Sequence, residues 1–239
     1  MTYTVLARCP RNGHIGIGIA TYSICVGQYC DGLRSRVGAT MTQAFVNQGN
    51  NGLALRLLAQ GFAPARIIDE LGLNDPYHDY RQIAVIDREG SVAAFTGPKT
   101  RGWAGHAIGE GCVAFGNVLA GPEVVDAIAA GYAEDPNGPL ERRMLRALER
   151  GRDAGGQRGA EGHLTERSAA LRVFSDFDYA DLDLRVDLHD HAVDELRRCF
   201  EEYEPYRAYY RDRGRNPHDA VPQDVFVARL NARKAEARP

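Results

Sequence analysis

Residues 2–21 read TYTVLARCPRNGHIGIGIAT, two strand-like runs joined by a polar reversal. Asn12-Gly13 supplies residues that tolerate positive φ in a tight turn, and the flanking runs keep the two-residue period of a strand. The stretch is expected to fold as a β-hairpin, and pairing around the turn sets Ala7 against Ile15, Val5 against Ile17 and Tyr3 against Ile19 on an apolar face. The other face then carries Leu6 with Gly16, Thr4 with Gly18 and Thr2 with Ala20, so that two hydroxyls stand over positions with little or no side chain. Glycine inside a strand marks a place where something approaches the backbone closely. Either another layer packs there, or the floor is cleared for a substrate beside a hydroxyl.

Working outward, Val37–Thr42 alternates as a third strand, with Thr40 and Thr42 on one face. Two short helices follow, one with Ala54, Leu57 and Leu58 on a face and Gly61 at its close, the next opening at Pro64 and ending near Gly72. From Tyr80 to Leu119 the chain is rich in β-pattern, with two hairpins in succession that imply antiparallel pairing. Helices are expected after Pro122 and from about Leu140, both amphipathic, and strands again at SAALRVF and DLDLRVDLH. The run from Asp153 to Arg167 has little apolar content and reads as a mobile loop. A long helix follows, striped with Val193, Leu196, Phe200 and Tyr203.

Hairpins alternating with paired helices favour an α+β fold, a four-layer α/β/β/α sandwich of two antiparallel sheets with helices outside. Tyr3, Val5, Ile15, Ile17 and Ile19 are expected between the sheets. The organisation reads as one domain over residues 1–213 and a C-terminal extension over 214–239.

A net charge of -3 with acidic residues interleaved among the arginines argues against a nucleic-acid binder. Five cysteines at irregular spacing, without a CxxC pair, suit reduced thiols and a cytoplasmic setting. No apolar stretch reaches the length of a membrane span, so no membrane partner is expected. There is no P-loop, dinucleotide fingerprint, GxSxG or zincin helix, and no cofactor is implied. His189 and His191 share a strand face but lack a third metal ligand, so capping of the next helix is the better reading and no metal is expected. Tyr203, Tyr206, Tyr209 and Tyr210, followed by VFVARL, give the carboxy end enough apolar surface to suggest a homo-oligomer.

Taken in order, MTYTVLARCPRNGHIGIGIAT, VGATMTQA, YRQIAVID, FTG, WAGHAIGEG, GNVLAGPEVVDA, RALERGRDAGG, SAALRV and DLRVDLHD resemble a bacterial family catalogued as domain of unknown function 1028, over Thr2 to about Phe200. That family is grouped with the N-terminal nucleophile hydrolases, which implies the same sandwich. In such hydrolases the first residue of the mature chain attacks an amide carbonyl while its own α-amino group serves as base.

The resemblance implies Thr2 as the catalytic nucleophile once Met1 is removed, which a second residue as small as threonine permits. It further implies that polar side chains of the motifs Arg81-Gln82, His106 and Gly116-Asn117 bind substrate or donate to an oxyanion, and Thr42 is expected to wall the same pocket beside Gly18. The implied activity is hydrolysis of an amide or related C–N bond in a small molecule. The alternative is an inactive relative that binds a small molecule or serves as a structural subunit. Two positions differ from the family pattern: Thr21 stands where a serine is usual, and Gln157 falls where the loop commonly carries an aspartate.

Overall fold

The hairpin forms, with β1 (Thr2–Arg8) antiparallel to β2 (Ile15–Thr21), but one residue away from the expected register. Cys9 N donates to the His14 carbonyl at 2.8 Å and Gly13 N to the Cys9 carbonyl at 2.9 Å, so Pro10 to Gly13 make a wider loop than a turn centred on Asn12-Gly13. Thr2 therefore stands opposite Thr21, Thr4 opposite Ile19 and Leu6 opposite Ile17. A slip of one residue exchanges the partners on each face. The glycines now lie opposite Val5 and Ala7, and a helix occupies the space above them: a Cβ on Gly16 would sit 2.9 Å from the Met144 sulfur, and one on Gly18 3.5 Å from Leu148. A packed layer, not a substrate floor, explains those glycines.

This computed structural model describes residues 1–236, which form two antiparallel sheets and six helices. After the hairpin come β3 (Leu33–Arg34), β4 (Gly38–Ala44), α1 (Gln48–Ala59), α2 (Pro64–Asn74), β5 (Arg81–Asp87), β6 (Val92–Thr96), β7 (Trp103–Gly109) and β8 (Cys112–Leu119). Then follow α3 (Pro122–Ala133), α4 (Leu140–Asp153), β9 (Gln157–Gly159), β10 (Gly162–Leu164), β11 (Ser168–Phe174), β12 (Ala180–Val186), α5 (Ala192–Arg215) and α6 (Gln223–Glu236). The larger sheet has eight strands in the order β10-β9-β8-β1-β2-β11-β12, with β7 also paired to β8; the smaller has four, β3-β4-β5-β6. The two successive hairpins read between Tyr80 and Leu119 thus belong to different sheets.

Leu6, Ile15, Ile17, Ile19, Val113 and Phe115 of the larger sheet share one core with Ala39, Met41, Ala84 and Ile86 of the smaller. Burial of this layer is the main stabilising contribution, at about 25 cal/mol per Å² of apolar surface. Helices α3 and α4 pack on the other side of the larger sheet, and α1 and α2 on the smaller one. Tyr3 and Val5 are fully buried, but on the helix side of β1; only the three isoleucines of β2 lie between the sheets. On α2, Ile67 and Leu71 are fully buried.

The run expected as a mobile loop contains a hairpin instead, β9 paired with β10, anchored where Gln157 pairs with Leu119 of β8. Its anchors are polar, which the scarcity of apolar residues concealed: Gln157 and Glu166 are both buried. Gly155 and Gly156, at φ 111 and 52, make the left-handed turn from α4 into it.

Met1–Arg197 form one compact unit and the residues from Arg198 a second, with α5 running from the first into the second. Within the second, the tyrosines pack on one another and on α6: Tyr209 stacks on Phe226 at 4.1 Å and Tyr206 meets it edge-on at 5.2 Å. Among the described residues no helix is long and apolar enough to cross a membrane.

Candidate functional site

At the end of the inter-sheet layer where β1 begins, apolar packing gives way to a chain of buried amides and hydroxyls. Thr4, Gln43, Gln82 and Asn117 are all buried, and each comes from a different strand. The Thr4 hydroxyl donates to Gln43 Oε1 at 2.6 Å, and Gln43 Nε2 donates to Gln82 Oε1 at 2.8 Å. Asn117 Nδ2 donates to the same oxygen at 3.2 Å. The Gln82 amide nitrogen reaches the carbonyls of Gly116 and Gly105 at 2.8 and 3.0 Å and the Thr96 hydroxyl at 3.0 Å. Thr96 in turn bonds His106 Nδ1 at 2.9 Å. Strand alternation turns Thr4, Gln43, Gln82 and Asn117 into the layer between the sheets, because their i±2 neighbours Leu6, Met41, Ala84 and Phe115 belong to its core. A buried amide left unpaired costs about 1–3 kcal/mol, so the mutual pairing fixes these side chains in one arrangement.

Thr2 lies beside this chain. It faces Thr21 on one side and Asn117 on the other, and its Oγ1 lies 3.1 Å from Thr21 Oγ1. Thr21 donates its hydroxyl proton to the Met1 carbonyl and accepts from Ser23 N at 3.2 Å. A hydroxyl has a single proton to give. The proton in the Thr2–Thr21 bond therefore comes from Thr2.

Beyond Thr21 the polar shell continues. Tyr22 N donates to Gln157 Oε1 at 2.9 Å, and Gln157 Nε2 reaches the Glu166 carboxylate at 3.4 Å. Ser168, opposite Thr21 on β11, accepts from Val26 N at 3.1 Å and donates to the Ser23 carbonyl at 2.8 Å, holding the segment after β2 against the sheet. Two residues that follow this network, Ala44 after Gln43 and Val118 after Asn117, have left-handed backbones at φ 71 and 56. Left-handed geometry is costly for a β-branched residue and is retained where its surroundings enforce it.

The model of the family of unknown function DUF1028 matches residues 2–196. The chain belongs to the DUF1028 family. A crystal structure of a DUF1028 protein from Silicibacter pomeroyi superposes with a TM-score of 0.75 at 28% identity, covering 84% of this chain and 88% of that one. Anbu, an ancestral β-subunit from Yersinia bercovieri, aligns over 84% of this chain and 93% of its own at 13% identity, with a TM-score of only 0.39. A comparison with curated proteins gives no match.

In this DUF1028 chain the residues singled out from the sequence fall into two groups. Thr2 and Asn117 are opposed across β1 and β8, and His106 connects to Asn117 through Thr96 and Gln82. Desolvation pulls the His106 imidazole below its usual value. Thr42 lies apart: Met41 and Gln43 turn into the layer between the sheets, so Thr42 points to the face covered by α1, where its hydroxyl is buried without a partner. Gly18 is on the helix side of the other sheet, so the two do not wall a common pocket. Arg81 is taken up by Asp75, with Nε at 2.9 Å from Oδ2 and Nη2 at 3.3 Å from Oδ1, while its Nη1 donates to the Phe45 carbonyl at 2.6 Å.

Gln82 stood in the family motif beside Arg81, whereas Gln43 has no counterpart among the residues read from the sequence, although its pattern marks it as well. The signal was present, since a glutamine alternating with Met41, or with Ala84 and Ile86, falls on a core face and must find partners there. Glu166 was passed over too. It brings a buried carboxylate to Gln157 from the far end of the hairpin, nine positions beyond where the family pattern led one to look for an acid.

Proposed function

We propose that this protein is an amide hydrolase of the N-terminal nucleophile kind, built on a four-layer α/β/β/α sandwich, with Thr2 as nucleophile once the Met1–Thr2 bond is cleaved. The observation that carries this reading is the position of Thr2 beside the buried amide chain, opposite Asn117 in the strand register and with its hydroxyl 3.1 Å from that of Thr21. Removal of Met1 would take away the acceptor of the Thr21 proton and leave the Thr2 α-amino group there. Burial already pulls the Met1 α-amino group down to about 6. The Thr2 α-amino group, with a reference pKa of about 8, is close enough to neutrality to accept and return a proton.

The reaction then follows from the groups present. Thr2 Oγ attacks the carbonyl carbon as its proton passes to the α-amine, and the tetrahedral oxyanion takes hydrogen bonds from nearby donors, of which Asn117 Nδ2 is one. The C–N bond breaks, the ammonium returns the proton to the departing nitrogen, and water hydrolyses the acyl ester to regenerate Thr2. Gln82 positions Asn117, and Gln43 positions Gln82, so both act through their neighbours. The substrate is a small molecule, and no cofactor enters the reaction.

The test is release of amine or ammonia from N-acyl amino acids, ureides and short peptides. Thr2→Ala should abolish turnover, whereas Thr2→Ser should keep part of it. Turnover that survives in Thr2→Ala contradicts the reading. One observation favours a second reading, an inactive relative that binds a small molecule: the Met1 carbonyl is itself the acceptor of the Thr21 hydroxyl, an arrangement suited to a retained Met1.

A further inference from the structure

Three basic side chains lie on or beside the segments that follow the amide chain, and their partners differ. Arg81 is saturated by Asp75 and the Phe45 carbonyl. Lys99 pairs with Asp79 at 3.1 Å and lies over the Tyr80 ring at 5.3 Å. Arg101 is exposed and, among the described residues, has no acidic partner; its guanidinium stands over the ring of Phe45, 5.2 Å from the centroid. It is nonetheless held in place. The Arg101 carbonyl accepts from Val118 N at 3.2 Å, and Phe45 is fixed by Arg81 through its carbonyl and by the Tyr80 ring edge-on at 5.5 Å.

These attachments tie Arg101 to both sheets. Val118 follows Asn117, which stands opposite Thr2, and Phe45 follows Ala44, whose neighbour Gln43 accepts from Thr4. Both connecting residues, Val118 and Ala44, are the left-handed ones. We propose that Arg101 binds the anionic end of the substrate, and that the site takes amides that carry a carboxylate. This rests on the amide-hydrolase reading of Thr2. A guanidinium held over an aromatic face by cation–π attraction has N–H donors to spare, and its planar fork matches a carboxylate in two parallel hydrogen bonds. The contact with Phe45 restricts the side chain beforehand, which lowers the ordering cost of binding. Arg81 becomes a brace for Phe45 rather than a ligand.

The experiment measures binding of N-benzoyl-, N-acetyl- and N-carbamoylglycine, each beside its carboxamide, to the full chain and to Arg101→Gln, Arg101→Lys and Lys99→Gln. At least one carboxylate should bind about tenfold or more tightly than its carboxamide, as a charge-assisted hydrogen bond supplies. That preference should vanish in Arg101→Gln, survive in part in Arg101→Lys and persist in Lys99→Gln. Equal binding of acid and carboxamide, an unchanged preference in Arg101→Gln, or no binding of any carboxylate at millimolar concentration overturns the proposal. The same compounds separate it from the hydrolase reading. A preference that needs Arg101, without any turnover that needs Thr2, leaves the anion site standing and removes the hydrolase; Thr2-dependent turnover of acids and carboxamides at equal rates does the reverse.

Discussion

Thr4 and Gln43 meet across the two sheets, hydroxyl to amide oxygen at 2.6 Å, with both side chains buried. The contact joins the β1 strand, on which Thr2 lies, to the glutamine pair that orients Asn117. Thr4→Val keeps the shape and leaves Gln43 Oε1 without that donor. Its melting curve should show a loss of about 1–3 kcal/mol. An unchanged midpoint would mean that the amide chain does not hold the site.

Thr42→Val gives the opposite expectation. The Thr42 hydroxyl is buried on the α1 face with no partner, so replacing it by a methyl group should leave stability unchanged or slightly raised. It should also leave turnover intact, because that face is remote from the inter-sheet layer. A loss of activity with a normal melt would return Thr42 to the site.

Gly16→Ala tests the register of the hairpin. The added methyl would stand 2.9 Å from both the Arg172 carbonyl oxygen and the Met144 sulfur. Overpacking of this kind costs about 1–3 kcal/mol. A variant as stable as the parent would show that α4 does not rest on β2 as described.

Asp75 supplies the pH dependence. Burial opposes its ionisation, but hydrogen bonds from Arg81, Asn50, Asn47 and the Tyr77 amide outweigh it and hold the carboxyl well below the usual carboxylate range. A depressed carboxyl adds stability that is fully present above its unfolded pKa of about 3.9 and is lost as the pH falls towards the folded value. Melting midpoints from pH 6 to 2.5 should fall for the parent, and fall less for Asp75→Asn, which starts lower. Parallel curves for the two proteins would count against this assignment.

Much of the larger architecture was legible in residues 2–21 and in the repeated hairpin and helix-pair patterns, because alternation and amphipathic spacing report directly on burial. Register was not. A turn read from Asn12-Gly13 alone misses that Cys9 and His14 close a wider loop, and a single-residue difference moves Tyr3 and Val5 to the glycine face and Thr2 and Thr4 to the isoleucine face. Of the site, Thr2, His106 and Asn117 were reachable through family resemblance. What sets Arg81 apart from Arg101 is Asp75 beside the one and, among the described residues, a phenyl ring without an acid beside the other, which no sequence pattern shows. Glu166 escaped because a buried acid within a polar run has no periodic signal.

In the proposed hydrolase Thr2 becomes the reactive amino-terminal residue. Peptide mapping by mass spectrometry of protein treated with a β-lactone, which acylates a nucleophilic hydroxyl, reads this out. The expected product is an amino-terminal peptide that begins at Thr2 and carries the acyl group on that residue, absent from Thr2→Ala. An unmodified peptide that begins uniformly at Met1 would contradict the proposal.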